Sequence, residues 1–273
     1  MQRKLVNLVF ATAINALAVT TASAQTPEIT LTRIECGGSN VNDVNQRFSD
    51  TWAYGDLKVQ FVYSCYLIKH GDEYMLWDTG HPVNAPNVPS PKVSIVDQLA
   101  QLNVKPEQIK YVGISHYHGD HTGQVSSFPQ AMLFIGKGDW DALSAPKPAA
   151  ALNSDRFAHW LTGGGKVEPQ PADKDVFGDG SVMMLNTPGH TPGHHSLLVK
   201  LKEKGNVLLT GDVVHFRENY DTSGVPIFNT SRTDSLASID RFKKIAANLK
   251  ATVIIQHDAR DVDKLPVFPA SAK

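Results

Sequence analysis

The chain has 273 residues, 41% of them hydrophobic and 19% charged, which supplies one substantial core and excludes a disordered or wholly membrane-buried protein. A formal net charge of -1 and a pI near 6.8 give no basic footprint for nucleic acid. Two cysteines are too few for a scaffold built on disulfides.

Met1-Gln2-Arg3-Lys4, a mostly apolar stretch from Leu5 to Val19, and Ala22-Ser23-Ala24 before Gln25 have the three parts of a signal peptide. Asn15 and the short apolar span argue against a stable membrane anchor. Residues 1–24 are therefore expected to be removed, and residues 25–273 to form a single exported domain, periplasmic or secreted. Glu28 to Glu35 alternates as a strand does, and a polar loop with Asn40, Asn42, Asp43, Asn45 and Gln46 follows. Residues 57–69 and 73–78 read as a hairpin around His70-Gly71-Asp72, and the Pro-rich residues 82–92 as a loop. Ile95, Leu99 and Leu102 mark a helix that ends before Lys105-Pro106. Tyr111 to Ile114, Val182 to Leu185, Ser196 to Lys202, Asn206 to Thr210 and Val253 to Gln256 read as strands. Leu236, Ile239, Phe242, Ile245 and Leu249 form one helical stripe, with Ser231 and Asp234 as its cap. Periodicity alone gives an α/β fold.

The chemistry lies just past the strands. Ser115-His116-Tyr117-His118-Gly119-Asp120-His121 packs four ligand-type side chains into six positions. In an extended segment alternate side chains share a face, so His116 and His118 point the same way, and a bend at Gly119 lets Asp120 and His121 face a neighbouring point. Thr187-Pro188-Gly189-His190-Thr191-Pro192-Gly193-His194-His195 is a stiff loop able to hold His190, while Gly211-Asp212 and His257-Asp258 each end an apolar run. Imidazole and carboxylate without thiolate suit Zn²⁺ and also Mn, Fe or Co.

This pattern, His-x-His-x-Asp-His followed by His190, Asp212 and His257, resembles the dinuclear metallo-β-lactamase superfamily from about Cys65 to Asp258. The resemblance implies an αββα sandwich and two divalent metal ions, zinc foremost. One ion would take His116, His118 and His190, the other Asp120, His121 and His257, with Asp212 shared between them. Cys65-Tyr66-Leu67, Trp77-Asp78-Thr79-Gly80, the doubled Thr-Pro-Gly-His loop and His257-Asp258 look most like the N-acyl homoserine lactonases. That likeness implies a quorum-quenching hydrolase that opens the lactone ring, with an acyl homoserine lactone as its small-molecule partner and Asp120 moving a proton. The alternatives are an exported β-lactamase, another ester or thioester hydrolase of the same fold, a persulfide dioxygenase with one iron, and an exported zinc-binding protein without catalysis. The lactonases usually carry a tyrosine three residues after the shared aspartate; here it is His215, which would serve as hydrogen-bond donor or acid.

The resemblance also implies that Asp78 supports the ligand loop, and His194 is read as orienting the loop or a ligand rather than binding metal. His70, His81 and His159 have no ligand spacing and are expected at the surface. Phe48, Trp52, Tyr54, Trp140, Phe157, Trp160 and Phe216 are the aromatic residues from which an acyl-binding wall would be drawn. Cys36 and Cys65 either form a disulfide or leave Cys65 a buried thiol. No feature of the sequence fixes an oligomeric state.

Overall fold

Apolar residues on both faces of most strands require cover on two sides, and the chain meets that need with two stacked sheets clothed outside by helices. The computed structural model describes residues 27–273, so the predicted signal peptide lies outside the described residues. The first sheet runs in simple order from β1 (Ile29–Val41) through β2 (Val59–His70), β3 (Glu73–Trp77), β4 (Ile109–Ile114) and β5 (Met132–Gly136) to β6 (Val167–Gln170). The second sheet holds β7 (Lys174–Asp175), β8 (Val182–Asn186), β9 (His195–Leu201), β10 (Gly205–Leu209) and β11 (Thr252–Ile254), ordered β11-β10-β9-β8-β7. The helices are α1 (Val44–Arg47), α2 (Ile95–Gln101), α3 (Gly119–Thr122), α4 (Lys137–Leu143), α5 (Ala158–Leu161), α6 (Arg217–Thr222) and α7 (Arg232–Asn248).

Leu31, Tyr66, Ile68, Met75, Trp77 and Phe134 meet Val182, Met184, Leu197, Val199, Val207 and Leu209 between the sheets. Ile95 and Leu99 of α2, Leu143 of α4 and Trp160 of α5 pack on the outer face of the first sheet. Ile239 and Phe242 of α7 cover the second. The αββα expectation holds. The α7 stripe is turned at its start: Leu236 is half-buried while Ser235 and Ser238 are buried, because small polar side chains there admit the loop that carries His190. Ser231 caps the helix by accepting from Asp234 N, as its position predicts. The apolar run from Ala131 to Ile135 supplies most of β5, a strand that the sequence reading passed over.

Direction matters more than strand count. β3, β4, β5 and β6 are mutually parallel, β10 is parallel to β11, and β8 runs the same way as β10 because both are antiparallel to β9. Every predicted ligand follows the carboxyl end of β4, β8, β10 or β11, where backbone donors and acceptors leave the ladders. The hydrogen bonds Val62 N to His257 O (3.0 Å) and His195 N to Ser115 O (2.8 Å) sew the two sheets together along that edge.

Cys36 and Cys65 are joined in a disulfide between β1 and β2, with Cα atoms 6.1 Å apart. This settles the choice that the sequence left open. The bond lies directly under Gly80, where a Cβ would come within 2.4 Å of Cys36 Cβ and the backbone has φ +56°. Only glycine lets the segment leaving β3 cross the disulfide there. Replacing both cysteines by serine opens a cross-link between residues 29 apart. It is expected to cost about 3–4 kcal/mol of stability through the freed unfolded chain. Urea unfolding of the double variant, read as a lower midpoint, measures it.

Candidate metal centre

Beyond β4 the chain stays extended through His118 (φ -63°, ψ 155°) and then closes into the single turn of α3. Extended spacing sets His116 and His118 on one face, and the helical turn sets Asp120 and His121 on another. Gly119 differs from expectation. It is not among the glycines with positive φ, and the change of direction comes from the helical turn itself. Arg156 fixes that turn by donating from Nη1 to Gly119 O (3.0 Å) and Thr122 Oγ1 (3.1 Å).

The His190 loop is held from both sides. Gly189 has φ +133°, and a Cβ there would lie 2.3 Å from Ser235 N at the start of α7. Ser238 Oγ donates to Pro188 O at 2.6 Å. On the other side a Cβ on Gly136 would come within 1.7 Å of Gly193 O, so β5 and the loop touch backbone to backbone. Asp139 ties this loop to the His116–His118 segment: it accepts from Gly193 N (2.6 Å), Thr191 Oγ1 (2.9 Å) and Tyr117 N (2.9 Å). Burial pushes the Asp139 carboxyl up to about 6 against the pull of those donors. The sequence reading missed this residue, since a lone aspartate opening a helix carries no ligand spacing.

All seven predicted ligands converge. His116, His118, His190 and Asp212 form one group and Asp120, His121, Asp212 and His257 a second; within each, one ligand atom per residue lies within 4.8 Å of the others. In the first group His116 Nε2, His118 Nδ1 and His190 Nε2 stand 2.9, 2.9 and 3.1 Å apart. Tetrahedral zinc with Zn–N bonds of 2.0–2.1 Å would hold such nitrogens about 3.3 Å apart. The outer nitrogens are engaged elsewhere. His190 Nδ1 meets Asn229 Oδ1 (2.8 Å), His121 Nδ1 meets Asp78 Oδ2 (2.9 Å) and His257 Nδ1 meets Val62 O (3.0 Å). These acceptors require N–H at those positions, which leaves the inward Nε2 atoms as lone pairs.

Asp212 Oδ1 is buried without a hydrogen-bond partner, although His257 Nε2 lies 2.9 Å away. An acceptor-only oxygen facing nitrogen lone pairs fits a cation between them. Charge agrees. Burial alone would raise Asp212, yet His257, His121, His215 and His116 hold it well below the usual carboxylate range. His121 and His257 are lifted by Asp212 in spite of burial, the direction expected of imidazoles facing a buried carboxylate. Burial pushes His118 down to about 4, which leaves it neutral and ready to ligate at neutral pH.

Supporting residues surround this centre. Asp78, at φ +58°, accepts from Ser115 N (2.7 Å) and Gln256 Nε2 (3.0 Å) in addition to meeting His121, so its predicted supporting contacts are present. His194 accepts from Asp212 N (2.7 Å) at Nε2 and stays outside both donor groups. His215 stands with Nε2 3.1 Å from Asp212 Oδ2, and its Nδ1 is buried without a partner. Two surface expectations are partly corrected. His81 is buried with its ring 4.7 Å from that of Tyr63, and His70 stacks on Phe177 at 4.1 Å while pairing with Asp179. His159 is exposed as expected.

The centre opens into a cavity of about 570 Å³. Of the seven aromatic candidates only Phe48 lines it, joined by Phe61, Tyr63 and Phe228, which the sequence reading did not select. Tyr54 and Phe216 back this wall from behind. Phe157, Trp160 and Trp140 pack beneath the first sheet, and Trp52 is 75% exposed. The segment expected as a polar loop at Asn40 is instead the bulged end of β1, and with the Pro-rich loop around Pro89 it forms the mouth. They meet at Gly37, where a Cβ would lie 2.0 Å from Pro89 O.

The sequence matches the family model of the metallo-beta-lactamase superfamily over residues 60–257. It is 32% identical over 178 residues to the N-acyl homoserine lactonase AttM of Rhizobium radiobacter, a match covering 60% of this chain and 63% of that protein. The chain thus spans under two thirds of that relative's length. With an N-acyl homoserine lactonase of Bacillus sp the identity is 30% over 225 residues, covering 75% of this chain and 84% of the other. The crystal structure of a quorum-quenching N-acyl homoserine lactone lactonase superposes with a TM-score of 0.75 at 26% identity, covering 90% of this chain and 99% of that one. An N-acyl homoserine lactone hydrolase carrying N-hexanoyl-L-homoserine at its catalytic metal center gives a TM-score of 0.73 at 25% identity, covering 90% and 100%.

Asp139→Asn turns one acceptor of the tie between the two ligand segments into a donor facing donors. The expected result is a roughly 10–100-fold loss of metal affinity, measured by zinc titration against a chelator.

Proposed function

Because this chain belongs to the metallo-beta-lactamase superfamily, we propose that it is a dinuclear metal-dependent hydrolase that opens the ring of N-acyl homoserine lactones. The observation that carries the reading is the pair of donor groups sharing Asp212 at the floor of a cavity with an aromatic wall. The named relatives support the substrate class.

In this reading His116, His118 and His190 hold one divalent ion, Asp120, His121 and His257 hold the other, and Asp212 holds both; Zn²⁺ is the proposed metal. When bound, such a pair supplies Lewis acidity and acidified water. The protein's own part is positioning and proton transfer. The lactone lies over the floor of the cavity, and its acyl chain runs against Phe48, Phe61 and Phe228. Burial would raise Asp120, yet His121 and His257 hold it low, so its carboxylate is ionised at neutral pH. With 23% of its side chain exposed, Asp120 accepts a proton from the attacking water and returns it to the leaving alkoxide. His215 steadies Asp212 by donating from Nε2, which leaves its other nitrogen to accept a hydrogen bond from the attacking water. The proposed site of action is outside the cytoplasm, a reading supported by the Cys36–Cys65 disulfide, since such bonds persist in oxidising compartments.

The test is proton release from N-hexanoyl homoserine lactone beside ring opening of a penicillin, with bound metal quantified. Fast lactone opening with about two metals per chain is the expected result. Penicillin turnover alone would reassign the substrate. Asp212→Ala is expected to lose tight metal binding and turnover together; full retention of both would remove it from the shared position. His215→Phe should keep the metals and lower kcat/KM roughly 100-fold. An unchanged rate would exclude His215 from the chemistry.

A further inference from the structure

The cavity is lined by two kinds of side chain. Phe48, Phe61 and Phe228 make an apolar patch, whereas Tyr63 of β2 and Ser39 of β1 meet beside it through a hydroxyl–hydroxyl contact of 3.2 Å. Tyr63 belongs to neither donor group, but its ring stands edge-on to His257 with centroids 5.0 Å apart and to buried His81 at 4.7 Å. Two imidazoles thus fix the ring one side chain away from the metal centre, with its hydroxyl on the cavity wall beside Ser39.

A hydroxyl pair has two hydrogens and uses one internally. When Ser39 donates to the phenol oxygen, the phenol hydrogen is left for a bound molecule. A tyrosine phenol ionises only near pH 10, so Tyr63 keeps its proton across the working range. It can donate, and it adds no negative charge beside Asp120. A neutral donor next to the scissile group, rather than on it, matches a carbonyl oxygen carried on a substituent of the ring.

We propose that Tyr63, set by Ser39, is a specificity-determining residue that donates a hydrogen bond to the amide carbonyl of an acylamino substituent beside the lactone ring. The inference rests on the lactonase reading above and deepens it. It divides substrate recognition between neighbouring patches: the aromatic patch takes the acyl chain by burial, and the Tyr63–Ser39 pair reads the amide that joins chain to ring. A lactone bearing a plain alkyl chain would use only the first.

The experiment compares the wild-type protein and Tyr63→Phe, with metal content measured, on N-hexanoyl homoserine lactone and on a γ-lactone with an alkyl chain and no amide. The expected loss in kcat/KM is about tenfold on the acylamino lactone, mainly through KM, the size of one neutral hydrogen bond. The alkyl lactone should change less than threefold, so the selectivity between the two collapses. Equal losses on both lactones, or none on either, would overturn the inference and leave the lactonase reading standing. A wild-type protein that opens neither lactone would sink both. If Phe at position 63 lowers metal content, Ser39→Ala reads the same pair: a selective two- to threefold loss on the acylamino lactone supports the inference, and its absence removes it.

Discussion

Asp212 is a carboxylate at 4% exposure among five imidazoles, with one oxygen lacking any hydrogen bond. A buried anion in that state needs positive charge close by, since burial without compensation would neutralise it. Much of the surrounding structure answers that need. In three of the imidazoles an acceptor engages the outer nitrogen and so directs the inward one to the centre, and those acceptors are themselves fixed by the fold. Asn229 serves His190, Asp78 serves His121 and the Val62 carbonyl serves His257.

Precision of this kind comes from backbones brought into contact at the carboxyl edge of the sheets. Gly136 against Gly193, Gly189 against Ser235 and Gly80 against the disulfide are three places where a methyl group would have no room. Asp139 and Asp78 then act as anchors in a region of low dielectric, where a fully satisfied polar network is rigid and a partly satisfied one is costly. The centre is therefore stiff before any ligand arrives, which is the condition for holding reacting groups in register.

Outside the metal centre the cavity is built from the segments with the least regular sequence. The bulged end of β1, the stretch following it and the Pro-rich loop supply Ser39, Asn40, Asn87 and Pro89, while strand β2 supplies Phe61 and Tyr63. Apolar and hydroxyl groups thus line one space side by side. Binding that must orient a flexible amphiphile needs such a contrast, because burial fixes how much surface is covered and hydrogen bonds fix which way round.

Sequence by itself determined the candidate ligands and most of the elements. His116, His118, Asp120 and His121 lie within one short segment, and His190, Asp212 and His257 each follow a strand or a stiff loop, so local spacing carries the chemistry. Hydrophobic alternation and the α7 stripe carry the sandwich in the same way. Tertiary structure decided the rest, because it depends on segments far apart in the chain. Pairing of Cys36 with Cys65 required the β1–β2 register, the tie at Asp139 required β5 to meet the His190 loop, and burial of His81 required Tyr63 above it. The aromatic lining of the cavity was least legible: Phe48 and Phe228 come together only when residues 180 positions apart fold to one face, and an aromatic residue in a sequence looks the same in a core as in a cavity.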